Sequence, residues 1–160
     1  MKTKKVVNFR YGELFCGPGG LALGAFSATA ENNDRQYKIV HGWSSDYDPD
    51  SCATYLKNIT HGEKSSVICS DVRNLDIKTL DPIDAFAYGF PCNDFSLVGE
   101  QKGFRGEFGS LYTYGVKVIN AFKPKFFVAE NVSGLTSAND GGAFKKIADD
   151  LANRAVVVTT

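Results

Sequence analysis

Three short segments of this sequence hold residue types that together could do covalent chemistry on a heterocycle. In Gly89-Phe90-Pro91-Cys92-Asn93, proline fixes the local backbone and so aims a thiol. A thiolate is the nucleophile of such a site. In Ala129-Glu130-Asn131-Val132, a carboxyl follows the apolar run 126–129. It would be partly desolvated, with its pKa pushed up, which suits sharing a proton with a ring nitrogen. In Phe15-Cys16-Gly17-Pro18-Gly19-Gly20, glycines allow a sharp turn and close approach to a ligand, ahead of the free N–H groups of a helix start. Asp46 lies 26 positions after Gly20, near the roughly 20 at which nucleotide-binding folds place an acid for ribose hydroxyls. Asp71 is a second acid of this kind.

Each feature also has a plainer reading. Cys92 could pack under Phe90 and Phe95, Glu130 could cap a strand, and the glycines could form an ordinary turn. Acids in loops are usually just solvated. Among the other thiols, Cys16 sits inside the tight turn and reads as a spacer. Cys52 falls in a helix and Cys69 in a strand, so both read as core.

The elements that must position these residues alternate. Strands are expected at about Arg10–Phe15, Tyr37–Ser44, Ser66–Cys69, Ala85–Gly89 and Lys125–Ala129, with a final strand-like run at Arg154–Thr159. Helices are expected at about Leu21–Ala30, from Pro49 to Asn58, from a Ser110 cap to Phe122, and at Ala143–Asn153. The segment Glu31–Gln36 reads as a polar loop. So does the glycine-rich stretch from Phe90 to Gly109, unusually long for a compact domain and of a kind that is often functional. This order gives a mostly parallel sheet with helices on both faces, a Rossmann-like α/β fold. The acids and Cys92 all fall at carboxyl ends of strands, where open α/β sheets bind ligands.

The chain has 160 residues, 43% hydrophobic and 22% charged, which suits one domain. Net charge is zero, so a nucleic-acid partner would need a local positive surface. No apolar run approaches the ~20 residues of a membrane span, and no signal-peptide core follows the basic N-terminus. A cytoplasmic setting is the default. No C-x-x-C pair or histidine pattern suggests a metal, and disulfides are not expected.

The segments, in this order, resemble the DNA cytosine-5 methyltransferases from about residue 10 to 150. Glu13-Leu14-Phe15-Cys16-Gly17-Pro18-Gly19-Gly20 is similar to the family's first motif, which usually has Asp in place of Glu13. Asp46-Tyr47 resembles its ribose- and adenine-binding pair, and Asp71-Val72 the pair that contacts the adenine. Gly89-Phe90-Pro91-Cys92-Asn93 resembles the Pro-Cys signature, commonly Pro-Cys-Gln. Gly109-Ser110-Leu111 looks like the segment lining the methionine part of the cofactor, and Glu130-Asn131-Val132 is similar to the Glu-Asn-Val motif.

The resemblance implies S-adenosyl-L-methionine as cofactor, with S-adenosyl-L-homocysteine as product. Phe15, Gly17, Pro18, Gly20, Asp46, Tyr47, Asp71, Val72, Pro91 and Leu111 would hold it. It implies a cytosine flipped out of double-stranded DNA as substrate, Cys92 as nucleophile toward C6 and Glu130 bonding N3. Lys102 and Arg105 are candidate phosphate contacts. The setting implied is a prokaryotic restriction-modification system. The family's later arginine motif, target recognition domain and closing elements are not in these 160 residues. The sheet would therefore stop before its seventh strand, and the isolated chain would be inactive or weak. Strand 125–129 would keep an open edge, to be met by residues 154–160, by another molecule through self-association, or by nothing. An RNA methyltransferase of the same family, a subunit of a split enzyme, and an unrelated nucleotide-binding α/β protein are the alternatives.

Overall fold

The computed structural model describes residues 3–63, 66–91, 111–137 and 141–152. The described chain runs β1 (Lys5–Leu14), α1 (Gly20–Ser27), β2 (Ala30–Glu31), β3 (Arg35–Asp46), α2 (Pro49–Asn58), β4 (Val67–Cys69), β5 (Ala85–Gly89), α3 (Tyr112–Phe122), β6 (Phe126–Glu130) and α4 (Gly142–Ala152). The strands make one sheet. Its spine is β3-β1-β5-β6, all parallel. Both β4 (parallel) and the short β2 (antiparallel) pair with β3. This is the mixed α/β arrangement expected, with β1 central.

Helices cover both faces. Alternation along the strands sends Tyr11, Ala85 and Ala87 to one side, where they pack with Ala22 of α1 and Tyr55 of α2. Leu14, Phe86 and Tyr88 point to the other, against Val118 and Ile119 of α3 and Ile147 of α4. On that second face the rings of Phe86, Tyr88, Phe90 and Tyr112 follow one another at centroid spacings of 5.2, 5.6 and 6.2 Å. This row of rings carries the end of β5 into Phe90 and Pro91.

Several boundaries differ from the sequence reading, each for a local reason. The ladder of β1 and β3 reaches back to Lys5 and Arg35, where the backbones pair although most side chains are exposed or only half-buried. The expected loop Glu31–Gln36 is instead a hairpin. Asn32 Oδ1 accepts the N–H groups of Asp34 and Arg35, and this side-chain turn brings β2 back onto β3. Helix α1 ends at Ser27 rather than Ala30 because Ala30 is used in that hairpin. Between β4 and β5 the chain makes two single 3-10 turns, each opened by an aspartate, Asp71 or Asp76, that accepts the N–H two residues on. Ser110, expected to cap α3, lies outside the described residues, as does the run 154–159. The helix itself begins at Tyr112.

One acid lies inside this core. Glu13, in β1, is 1% exposed, and its Oε2 accepts the Tyr55 hydroxyl of α2 at 3.2 Å. Burial pushes its carboxyl up from the ordinary 4.5 to about 8. The nearby Asp46 charge adds to the rise, and the Tyr11 and Tyr55 hydroxyls oppose it. The folded state thus keeps a proton that the unfolded chain releases above pH 4.5. Stability should therefore fall as pH rises from about 4.5 to about 8, by at most about 1.4 kcal/mol per pH unit. Glu13→Gln keeps an acceptor for Tyr55 and removes the titrating group. Denaturant midpoints at pH 5 and pH 8 should show the variant gaining on the parent as pH rises. Parallel pH profiles for the two proteins would contradict this account of Glu13.

Candidate cofactor and catalytic site

The carboxyl ends of β1, β3, β4 and β5 surround a cavity of about 230 Å3. Its lining includes Phe15, Asp46, Tyr47, Asp71, Val72, Pro91 and Leu111. These came from five separate stretches of sequence, and the fold brings them to one place. Leu14, Ser45, Ser70 and Arg73 also line it and were not singled out from sequence.

The turn after β1 has an unusual backbone. Phe15 takes φ 55°, a left-handed conformation that costs a non-glycine residue energy. Gly17 (φ 50°) and Gly19 (φ 103°) continue it. Gly19 has a second constraint, since a Cβ there would lie 2.5 Å from Ile59 Cγ1. Gly20 opens α1 with ordinary φ and open space around it, so its use is at the helix start rather than in the turn. Pro18 lies between the two left-handed glycines. Cys16 is buried under the turn beside Glu13 and Asp46. Burial pushes its thiol well above the usual range, which fits a spacer and not a nucleophile.

Asp46 ties the turn to β3. Its Oδ2 accepts Gly17 N–H at 2.8 Å and its Oδ1 accepts Asp48 N–H at 3.0 Å. A carboxylate oxygen has a second lone pair, so each can still accept a ligand hydroxyl. Tyr47 next to it is 71% exposed, a large ring left in solvent at the cavity wall. Asp71 is engaged differently from expectation. Arg73 grips both of its oxygens, with Nη2 to Oδ2 at 2.6 Å, and hydrogen bonds from Arg73 hold the carboxyl below its ordinary pKa. The close Asp-Val-Arg spacing was the available sign of this pair.

On the far side of β5, parallel pairing puts Gly89 opposite Glu130. Glu130 is exposed, and a Cβ on Gly89 would lie 2.9 Å from its Oε2. The desolvation expected of this carboxylate is therefore absent among the described residues: β6 is an outer strand here, and Phe126 and Val128 are exposed along it too. Asn131, which was quoted but given no role, donates Nδ2–H to the Phe90 carbonyl at 2.7 Å. It fastens the end of β6 to the residue before Pro91. Cys92 itself lies outside the described residues, as do Lys102 and Arg105.

A larger cavity, about 390 Å3, lies between β6 and α4. Its lining is dominated by apolar side chains such as Val128, Phe144, Ile147 and Leu151, with no carboxylate or cation to orient a polar ligand. The smaller cavity is the better site because its polar groups converge. Among the described residues no group of three potential ligands could hold a metal, and no helix is long and apolar enough to cross a membrane.

Residues 9–155 match the family model for C-5 cytosine-specific DNA methylase. The type II methyltransferase M.BbvI of Brevibacillus brevis is 52% identical over 153 residues, covering 92% of this chain and 41% of that protein. M.NgoFVII of Neisseria gonorrhoeae, also a type II methyltransferase, is 37% identical over 142 residues, covering 88% of this chain and 34% of that protein. The crystal structure of the S. pombe Dnmt2 methyltransferase superposes with a TM-score of 0.57 at 18% identity, over 89% of this chain and 42% of that one, a likeness of fold. The chain thus spans less than half the length of these relatives. It belongs to the C-5 cytosine-specific DNA methylase family.

Proposed function

We propose that this chain is the cofactor-binding and nucleophile-bearing part of an enzyme that methylates C5 of a flipped-out cytosine in DNA. The observation that carries the reading is the single cavity in which Phe15, Asp46, Tyr47, Asp71, Val72, Pro91 and Leu111 meet. At about 230 Å3 it is below the ~300–1,000 Å3 usual for whole small-molecule sites, which suits the nucleoside end of a larger ligand. Asp46 has lone pairs free for ribose hydroxyls and Tyr47 an exposed ring on which an adenine can stack. Val72 and Leu111 supply apolar walls. The α1 N-terminus, with no side-chain cap, offers unpaired N–H groups to the ligand's polar end beside Gly17, Pro18 and Gly20. S-adenosylmethionine, when bound here, supplies an electrophilic methyl group.

The protein's own part follows from residue chemistry. C5 of cytosine is a poor nucleophile. Cys92, following Pro91, adds as thiolate to C6 and makes C5 enamine-like. Glu130, beside Gly89 in the ladder, bonds the ring at N3 and offsets charge developing there. Loss of the C5 proton after methylation expels the thiolate again. Asn131 keeps the Glu130 and Pro91 segments in fixed relation through Phe90. The description of the matching family, C-5 cytosine-specific DNA methylase, favours DNA over RNA as substrate.

Calorimetric titration with S-adenosylhomocysteine tests the cavity. Asp46→Asn should weaken binding by about tenfold or more, the value of a lost charge-assisted hydrogen bond. Unchanged affinity would remove Asp46 from the site. DNA carrying 5-fluorocytosine tests the nucleophile in the full-length protein. Fluorine blocks the final proton loss, so a denaturation-resistant adduct should accumulate with the parent and none with Cys92→Ala. An adduct on the variant would show that another residue attacks the base.

A further inference from the structure

Two thiols sit against the backbone of Asp46 and Tyr47, which line the proposed cofactor cavity, and the reaction uses neither. Cys52, in the first turns of α2, is buried, and its Sγ–H donates to the Asp46 carbonyl at 3.5 Å. Cys69 closes β4. It was expected in the core, yet it is exposed, and its Sγ–H makes a long contact of 4.0 Å to the Tyr47 carbonyl. Cys69 is also the ladder partner of Asp46, so the backbones of those residues lie about 4.8 Å apart. The two sulfurs therefore hang on consecutive carbonyls, those of the pair that faces the cavity. Burial, and after it hydrogen bonding with the Cys69 thiol, pushes the Cys52 thiol up to about 12. A lone cysteine filling a gap would show neither the neighbouring carbonyls nor the second thiol beside it.

We propose that Cys52 and Cys69 form a redox-modification site, which glutathione disulfide closes to an intramolecular disulfide that weakens ligand binding in the adjoining cavity. The effect on binding rests on the cofactor reading above, whereas formation of the bond does not. Cys69, the exposed thiol, gives its proton to solvent and attacks one sulfur of the oxidant, expelling one glutathione thiolate. Cys52, held beside it, passes its proton to the departing glutathione sulfur as it attacks the Cys69 sulfur, releasing the second. Two electrons pass from the protein to the oxidant, and the two thiolates released take up the two protons. In the disulfide the sulfurs sit about 2.05 Å apart and neither has a proton to donate. The Tyr47 carbonyl loses its thiol contact, and the Asp46 carbonyl loses the Cys52 thiol while it keeps Ser70 N–H at 2.8 Å. The peptide that carries the ribose acceptor and the stacking ring then shifts as the sulfurs close. Cytosolic disulfides are transient and signalling in character, which matches one exposed and one sheltered partner.

The test uses the Cys92→Ala protein, so that the proposed nucleophile does not compete for oxidant. The protein is incubated with glutathione disulfide, its free thiols are alkylated, and the digest is read by mass spectrometry. A peptide linking Cys52 to Cys69 should appear and vanish on reduction with dithiothreitol, and Cys16→Ser should not prevent it. Oxidation should lower S-adenosylhomocysteine affinity by about fivefold or more. Reduction should restore it, and Cys52→Ser and Cys69→Ser should show no such response. Recovery of both cysteines alkylated, or of Cys69 held only as a glutathione adduct, overturns the site. A disulfide that forms without changing affinity overturns its control of the cavity. Failure of the reduced protein to bind S-adenosylhomocysteine at all overturns the cofactor reading instead, and the linked peptide still decides whether the dithiol exists.

Discussion

Parallel strands have no hairpin to set their register, so something else must align them. Here Asp84 does much of this from the end of the sheet opposite the cavity. Its backbone N–H donates to the Arg10 carbonyl at 2.7 Å and its Oδ2 accepts Arg10 N–H at 3.0 Å. Its carbonyl accepts Lys125 N–H, and its Oδ1 accepts Lys125 Nζ–H, both at 2.7 Å. One residue thus clasps β1, β5 and β6 just before β5 begins. Counting forward from that clasp, Leu14 meets Tyr88 and Tyr88 meets Ala129. The glycine turn, Pro91 and Glu130 arrive together because the three strands are locked in register at that point.

The electrostatics of the site follow from how deep each acid lies. Glu13 and Asp46 are close enough to repel, and burial resolves the conflict by keeping a proton on Glu13. Asp46 instead lies where the N–H groups of Gly17 and Asp48 point at it. Asp71 has its counter-ion in Arg73. Three carboxylates in a small region are thus accommodated by three different means: protonation, backbone hydrogen bonds and an ion pair.

Much of this was legible in the sequence. Strand β5 was, because Ala85–Tyr88 is apolar and buried on both faces. Helix α2 was, because Pro49 sits in its first turn and Asp48 accepts Ser51 N–H as its cap. The glycine turn and the acids were legible because their types and spacing belong to a family. What escaped depended on tertiary position. The first strand was placed from about Arg10, but Asp34 and Arg35 give Lys5–Asn8 a partner and extend it. Cys69 reads as an interior strand residue, but it is the last residue of a three-residue strand and so meets solvent. Glu130 follows an apolar run, yet β6 is outermost among the described strands and the run does not bury it. Asn131 and Arg73 act through partners, Phe90 and Asp71, that only local geometry identifies.

The left-handed backbone at Phe15 bears on how this segment can change over generations. Backbone energy alone would favour glycine there, or asparagine, by about 1–2 kcal/mol. The ring, however, lines the cavity and packs on the core. Selection for folding and selection for binding therefore pull this codon in opposite directions. A lineage freed from the need to bind should lose the aromatic early and gain thermal tolerance by doing so. A lineage that keeps its ligand should hold a ring at this position even while neighbouring residues drift.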